Sequence, residues 1–166
     1  MRRRGLTDYK DRFFGAIVYL FALRDAVVMG AVLLLTIPTL SPILSPFIDL
    51  LNILLIPVNL IYSIVGTAIP GGFGSLLIFF VLIIAVVQND RISYFIRFNT
   101  MQSILIGIAL SLISIVSNAL GVLNLVGGLI FIIATPICIY CIVQCALGNY
   151  PEIPSFSKFV YDQVRR

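Results

Sequence analysis

Cys138, Cys141 and Cys145 are the first residues whose type and spacing could do chemistry. On a loop, C-x2-C-x3-C would suit a metal ion or an iron–sulfur cluster, both of which need thiolates converging from a short segment. Here the three lie in an apolar run, in a chain without histidine, and no carboxylate of that run completes a ligand shell. Free cysteine then acts as a small hydrophobe, so the reading is packing and the expected metal and cofactor set is none. Pro70-Gly71-Gly72-Phe73-Gly74 has the glycine density of a phosphate loop but lacks its Lys-Ser/Thr ending, and reads as a turn. Arg24 and Asp25 fall near the middle of an apolar run. Charges there are expensive and usually have a use, so one reading is a polar element facing the interior of a bundle. The other is an interfacial segment with Arg24 snorkelling to phosphates. Adjacent residues do not face one another on a helix, which argues against a simple intrahelical pair. With no histidine and no paired carboxylates, no catalytic constellation forms, and an enzyme is not expected.

The elements that carry these residues follow from composition. Of 166 residues, 60% are hydrophobic and 11% charged, with a mean hydropathy of +1.11. A soluble domain of this size cannot hide that much apolar surface. In lipid every backbone N–H and C=O needs an internal partner, so the choice is helices or a closed barrel. The apolar runs are continuous rather than alternating, which selects helices. About 20 residues cross a bilayer core. The expected fold is therefore an all-α integral membrane protein, a single membrane domain over 1–166, with spans near 13–37, 73–89, 100–120 and 123–147. Between the first two lies an apolar stretch, 38–72, broken by Pro38, Pro42, Pro46 and Pro57. It reads as a re-entrant or interfacial hairpin. A tail, 148–166, ends in a short amphipathic helix with Phe156, Phe159, Val160 and Val164 on one side.

Charge placement orients the spans. With four of them, every Lys and Arg except Arg24 falls in 1–12, 88–99 or 148–166, which are then all on one side. The positive-inside rule makes that side cytoplasmic or stromal, with both termini on it. The net charge of +4 is too dispersed for a nucleic-acid partner. The basic start and following apolar run lack a small-x-small cleavage site, so the segment is read as retained. On the third span Ser103, Gly107, Ser111, Ser114 and Asn118 form one stripe, and on the fourth Ala134, Cys138, Cys141 and Cys145 form another. Small stripes let membrane helices approach closely. They are expected to face each other or a neighbouring subunit, with Gly107→Leu impairing assembly. Alternatively the Ser/Asn stripe lines an aqueous path.

Two inner segments stand out. Arg91 and Arg97 with Tyr94, Phe95 and Phe98 suit the headgroup region, or a docking surface for partners. The run Ile92-Ser93-Tyr94-Phe95-Ile96-Arg97-Phe98-Asn99-Thr100-Met101-Gln102-Ser103-Ile104-Leu105 resembles the "I-S-x-F-x-R-F-N-x-M-Q-A-I-L" signature of the Tic Twenty family, subunits of the translocon at the inner envelope of chloroplasts and their cyanobacterial relatives. Cys145-Ala146-Leu147-Gly148-Asn149-Tyr150-Pro151-Glu152-Ile153-Pro154 resembles that family's "C-A-L-x-G-x-Y-x-x-I-P" ending, one residue shorter before the glycine. Asp11-Arg12-Phe13-Phe14 with Tyr19-Leu20 is a weaker match. Ser103 stands where the signature has alanine, Gly107 where an acid is often found, and Asp25 where relatives carry a single acid. The resemblance makes Arg91, Arg97, Phe98, Asn99, Met101, Gln102, Tyr150, Ile153 and Pro154 the candidate interaction residues. It implies four transmembrane helices with stromal termini, and lipid, other translocon subunits and translocating preproteins as partners, in a hetero- or homo-oligomer. The absent transit segment then points to a cyanobacterial or plastid-encoded member.

Taken together these readings favour a subunit of a protein-translocation complex that forms part of a polypeptide path or its scaffold. A small-solute channel or transporter is the alternative, against which stand the few mid-span charges and the lack of repeated halves with broken helices. An assembly factor that only packs against other membrane proteins is a third.

Overall fold

The computed structural model describes residues 8–69, 74–154 and 156–164. Pro70 to Phe73, Arg2 to Arg4, Arg165 and Arg166 lie outside them, so the glycine-rich turn and the chain ends are not placed. Among the described residues the chain is all helix. The helices are α1 (Tyr9–Ile17), α2 (Tyr19–Thr36), α3 (Ser41–Leu54), α4 (Ile56–Ala68), α5 (Gly74–Leu82), α6 (Tyr94–Ala119), α7 (Leu123–Ala146) and α8 (Phe156–Gln163). A 3₁₀ turn at Pro38–Leu40 leads into α3, and a π-helical turn at Ile83–Val87 extends α5.

Three segments are long and apolar enough to cross a membrane: Tyr9–Leu35, which joins α1 and α2, then Tyr94–Ala119 and Val126–Ala146. The α3–α4 pair passes the same test only if its two arms, bent by 71°, are taken as one span. The region expected as a span at 73–89 is shorter than anticipated. Its apolar helix runs over Leu76–Val87, and even the whole of Gly74–Val87 rises only about 21 Å at 1.5 Å per residue. The third span starts at Tyr94 rather than 100 because Ser93 caps it, its Oγ accepting from Ile96 N.

The ends of α6 and α7 have one cause. Gly121 (φ 70) and Gly148 (φ 81) adopt the left-handed conformation. After α6, Val122 N bonds to Ser117 O and Gly121 N to Asn118 O. After α7, Asn149 N bonds to Gln144 O and Gly148 N to Cys145 O. Each is a Schellman motif that satisfies the last carbonyls of its helix. Gly148, not the prolines that follow, therefore ends α7.

Helix α2 is the centre of the bundle. It packs along α7 over most of its length and against α6 on another side, while α6 and α7 meet over a shorter stretch. Tyr19, Ala22, Leu23 and Ala26 form one buried cluster with Phe131, Ala134, Cys138, Cys141 and Cys145. The cysteine stripe thus faces α2, and it touches α6 at its lower end, where Cys145 meets Asn99 and Cys141 meets Gln102. The expectation that the two small stripes face each other within the chain is corrected: α2 occupies the space between them. A Cβ on Gly30 would lie 2.6 Å from the Phe131 ring, whereas one on Gly66 would meet nothing within 4 Å. Gly30→Ala should lower stability in detergent by about 1–3 kcal/mol through overpacking, and Gly66→Ala should stay within about 0.5 kcal/mol of the parent. Thermal unfolding of the two variants checks this.

Candidate functional site: a buried inner polar cluster and an intramembrane groove

The signature residues converge, but inside the protein. Phe98, Asn99, Thr100 and Gln102 are fully buried and Arg97 is 7% exposed. The Asn99 amide donates through Nδ2 to Phe95 O at 2.8 Å. Its Oδ1 accepts from Tyr19 Oη at 3.0 Å and from Cys145 Sγ at 3.1 Å. One side chain therefore ties α2, α6 and α7 together. A helical turn on, Gln102 Nε2 donates to Pro151 O at 3.0 Å and its Oε1 accepts from Ser157 Oγ at 3.3 Å, which fastens the tail and α8 to α6. Ser157 Oγ also accepts from Ile153 N at 2.8 Å. Ser103 Oγ donates to Val18 O at 2.7 Å, at the joint between α1 and α2.

Arg97, Phe95 and Phe98 are buried within the protein rather than turned outward. The chain reverses after α5 and brings Arg97 beneath the end of that helix, where Nε donates to Val87 O at 2.8 Å and Nη1 pairs with Asp90 at 3.0 Å. A cation at the carbonyl end of a helix satisfies both its open acceptors and its dipole. Tyr150 stacks edge-on against Phe95 and Phe98, with ring centroids 5.0 and 5.1 Å away. Val160 and Val164 of the tail are buried with Val87, Phe98 and Ile104. The apolar side of α8 is thus turned onto α6, with the Tyr161 ring 4.8 Å from that of Phe98, leaving Lys158 and Phe159 outward. Of the candidate interaction residues, only Arg91 and Pro154 are exposed, while Met101, Tyr150 and Ile153 are half-buried. Ser93 Oγ adds a link to α1 by donating to Asp11 Oδ1 at 2.9 Å.

The second site lies deeper. Arg24 Nη1 meets Asp25 Oδ1 at 3.3 Å, and the two side chains are 27% and 29% exposed. The two adjacent residues do touch. They are not a simple pair, however. Arg24 Nε donates to Asn59 Oδ1 at 3.1 Å, and the guanidinium lies 3.8 Å from the centroid of the Tyr62 ring. Both partners come from α4. The signal was present: a mid-span arginine requires a polar partner, and Asn59 is an isolated amide in an apolar helix.

Arg24, Asp25 and Tyr62 border a groove of about 680 Å³ between α2, α4, α5 and α6. Ser103, Gly107, Ser111 and Ser114 of the predicted stripe line it, with Phe21, Ile78, Phe79 and Leu82 among the apolar walls. Asn118 is exposed and outside this lining. A Cβ on Gly107 would stand 3.7 Å from Asp25 Oδ2. Gly107 therefore faces the groove and the carboxylate rather than α7, and enlarging it would fill the groove before disturbing helix packing. Among the described residues no three His, Cys, Asp or Glu side chains are placed to hold a metal ion.

Breaking the inner cluster should loosen specific elements. Gln102→Leu removes one partner each from Pro151 O and Ser157 Oγ, which keep their 3.4 Å contact with each other, a cost of about 1–3 kcal/mol for buried groups. Limited proteolysis should then cut after Lys158 faster than in the parent, while the core from α1 to α7 stays resistant. Equal cleavage rates would show that the tail is held by its apolar contacts alone.

The sequence model of a family described as chloroplast import apparatus Tic20-like matches residues 7–159. A Tic20 family protein of Synechocystis sp. (strain ATCC 27184 / PCC 6803 / Kazusa) is 39% identical over 173 aligned positions, which cover 99% of each chain. The buried signature, the tail bonded to it and these matches across nearly the whole length lead to one conclusion: the chain belongs to the Tic20-like family.

Proposed function

We infer that this protein is a membrane-embedded subunit of a protein-translocation complex, in a cyanobacterial membrane or a plastid inner envelope, and that it contributes a polypeptide path or its scaffold. The observation that carries the reading is the groove. It combines a partly exposed ion pair at mid-span with a line of hydroxyl groups, inside a chain whose family is described by its import apparatus. Charged groups at that depth normally face a polar cavity or a partner. A passing polypeptide, rich in amides and side-chain donors, is a partner of that kind.

The proposed topology has four spans: α1 with α2, α5 with its π turn, α6 and α7, both termini on the basic inner side. The α3–α4 pair is then a re-entrant hairpin. Its 71° bend supports this, as does the contact of Asn59 and Tyr62 with Arg24 and Phe21, well below the outer end of α2. A short α5 is compatible with local thinning of the bilayer. Membrane-impermeant thiol labelling should reach Glu152→Cys from the inner side only and Leu120→Cys from the outer side only. Labelling of both from one side would refute α7 as a span.

For the path itself, a precursor arrested in transit should crosslink to Ser111→Cys and Ser114→Cys, and not to Leu129→Cys or Ile132→Cys on α7. The buried native cysteines make the parent chain the background control. No precursor adduct at any position, together with solute flux in liposomes, would overturn the reading in favour of a solute channel.

A further inference from the structure

The groove has a floor and an open side. Toward the inner face it stops at Ser103, whose hydroxyl is bonded to Val18 O, and the next layer is the fully buried set Tyr19, Phe98 and Asn99. The lining of the groove includes none of these three residues. On the membrane side its rim is formed by exposed apolar residues, Leu112 at 58%, Ile115 at 66% and Leu76 at 52%, which are suited to acyl chains. From Ser103 to Ile115 the α6 wall is about 18 Å long, some three helical turns. A hydrophilic chain threading from one face to the other has no route through this arrangement, whereas a segment already in the bilayer can enter from the side.

The geometry points to a lateral docking site for an apolar, membrane-inserting segment of a client polypeptide, with the Asp25 carboxylate and the hydroxyls of Ser111 and Ser114 accepting hydrogen bonds from polar groups on that segment. The inference rests on the translocation reading and narrows it to clients, or parts of clients, that partition into lipid. Three features select this occupant. The walls are mainly apolar, which disfavours a hydrated chain. Asp25 Oδ1 is turned to Arg24, while Oδ2 lies over Gly107, where the missing side chain keeps the carboxylate edge open to the groove. Partly exposed charge at mid-span needs polar contact, which a lipid tail cannot supply and a polypeptide can.

The test uses the full chain in its native membranes, with a photocrosslinking residue at Ser114 and two arrested precursors. One carries an apolar membrane segment; in the other that segment is replaced by a Gly/Ser stretch of equal length. The apolar segment should be the part captured, and the Gly/Ser form should lose about tenfold or more of the adduct, as expected when a few buried methylene groups are removed. Gly107→Leu, which fills the groove, should abolish capture. Ser111→Leu, at an exposed position, should do the same if the glycine variant fails to accumulate. Equal capture of both precursors would overturn lateral docking and leave the translocation reading standing. Adducts with lipid alone, while both precursors still copurify with the protein, would also overturn it. If neither precursor associates with the protein at all, both readings fall.

Discussion

Hydrocarbon offers no hydrogen bonds, and Asn99 is where this constraint acts most strongly. A fully buried primary amide in a membrane helix must find all its partners within the protein. Asn99 finds them on three helices: the Phe95 carbonyl of its own turn, the Tyr19 hydroxyl of α2 and the Cys145 thiol of α7. Apolar contact alone specifies membrane helix packing weakly, since lipid tails solvate leucine as well as a neighbouring helix does. Fixed polar partners set the register of α2 against α6 and α7, and the glycine contact of Gly30 with Phe131 then falls into place along the same interface. The remaining inner contacts repeat the device. Gln102 holds the tail, Arg97 caps α5, and Ser93 reaches Asp11 of α1.

This arrangement divides the molecule by depth. The end of the bundle where α6 begins and α7 ends is closed, stapled and aromatic. The middle holds the groove, with one ion pair and a line of small residues left open toward lipid. The bent α3–α4 pair contributes Asn59 and Tyr62, so the arginine that would otherwise be stranded in hydrocarbon is held by an amide and an aromatic face. Closure below and openness at the side are two consequences of the same packing, because the polar cluster that fixes α2 on α6 also seals the groove floor.

Much of this was legible in the sequence. Apolar run length and continuity lead to helices, and the signature 92–105 and the tail 145–154 both mark the segments that meet at the inner face. Their role was less legible. Arg97, Phe95 and Phe98 have the composition of a headgroup belt, and only the reversal of the chain at 88–93 turns them inward. Periodicity groups Ser103, Gly107, Ser111 and Ser114 on one side of α6, but cannot say that α2 rather than α7 lies opposite, since a stripe carries no information about its partner. Spacing argues against a simple Arg24–Asp25 pair but cannot name the other partners, because a guanidinium at the end of a long chain reaches Asn59 and Tyr62 on a helix distant in sequence.

Asn99 locks the bundle, and a double-mutant cycle tests this most directly. Tyr19→Phe, Asn99→Leu and the combined variant should be compared by unfolding in a fixed bilayer or detergent. A coupling of about 0.5–2 kcal/mol is expected between the two sites, in the range of interhelical hydrogen bonds measured in membranes. Strictly additive losses would contradict it, since they would mean that the Tyr19 hydroxyl and the Asn99 amide do not hold α2 to α6.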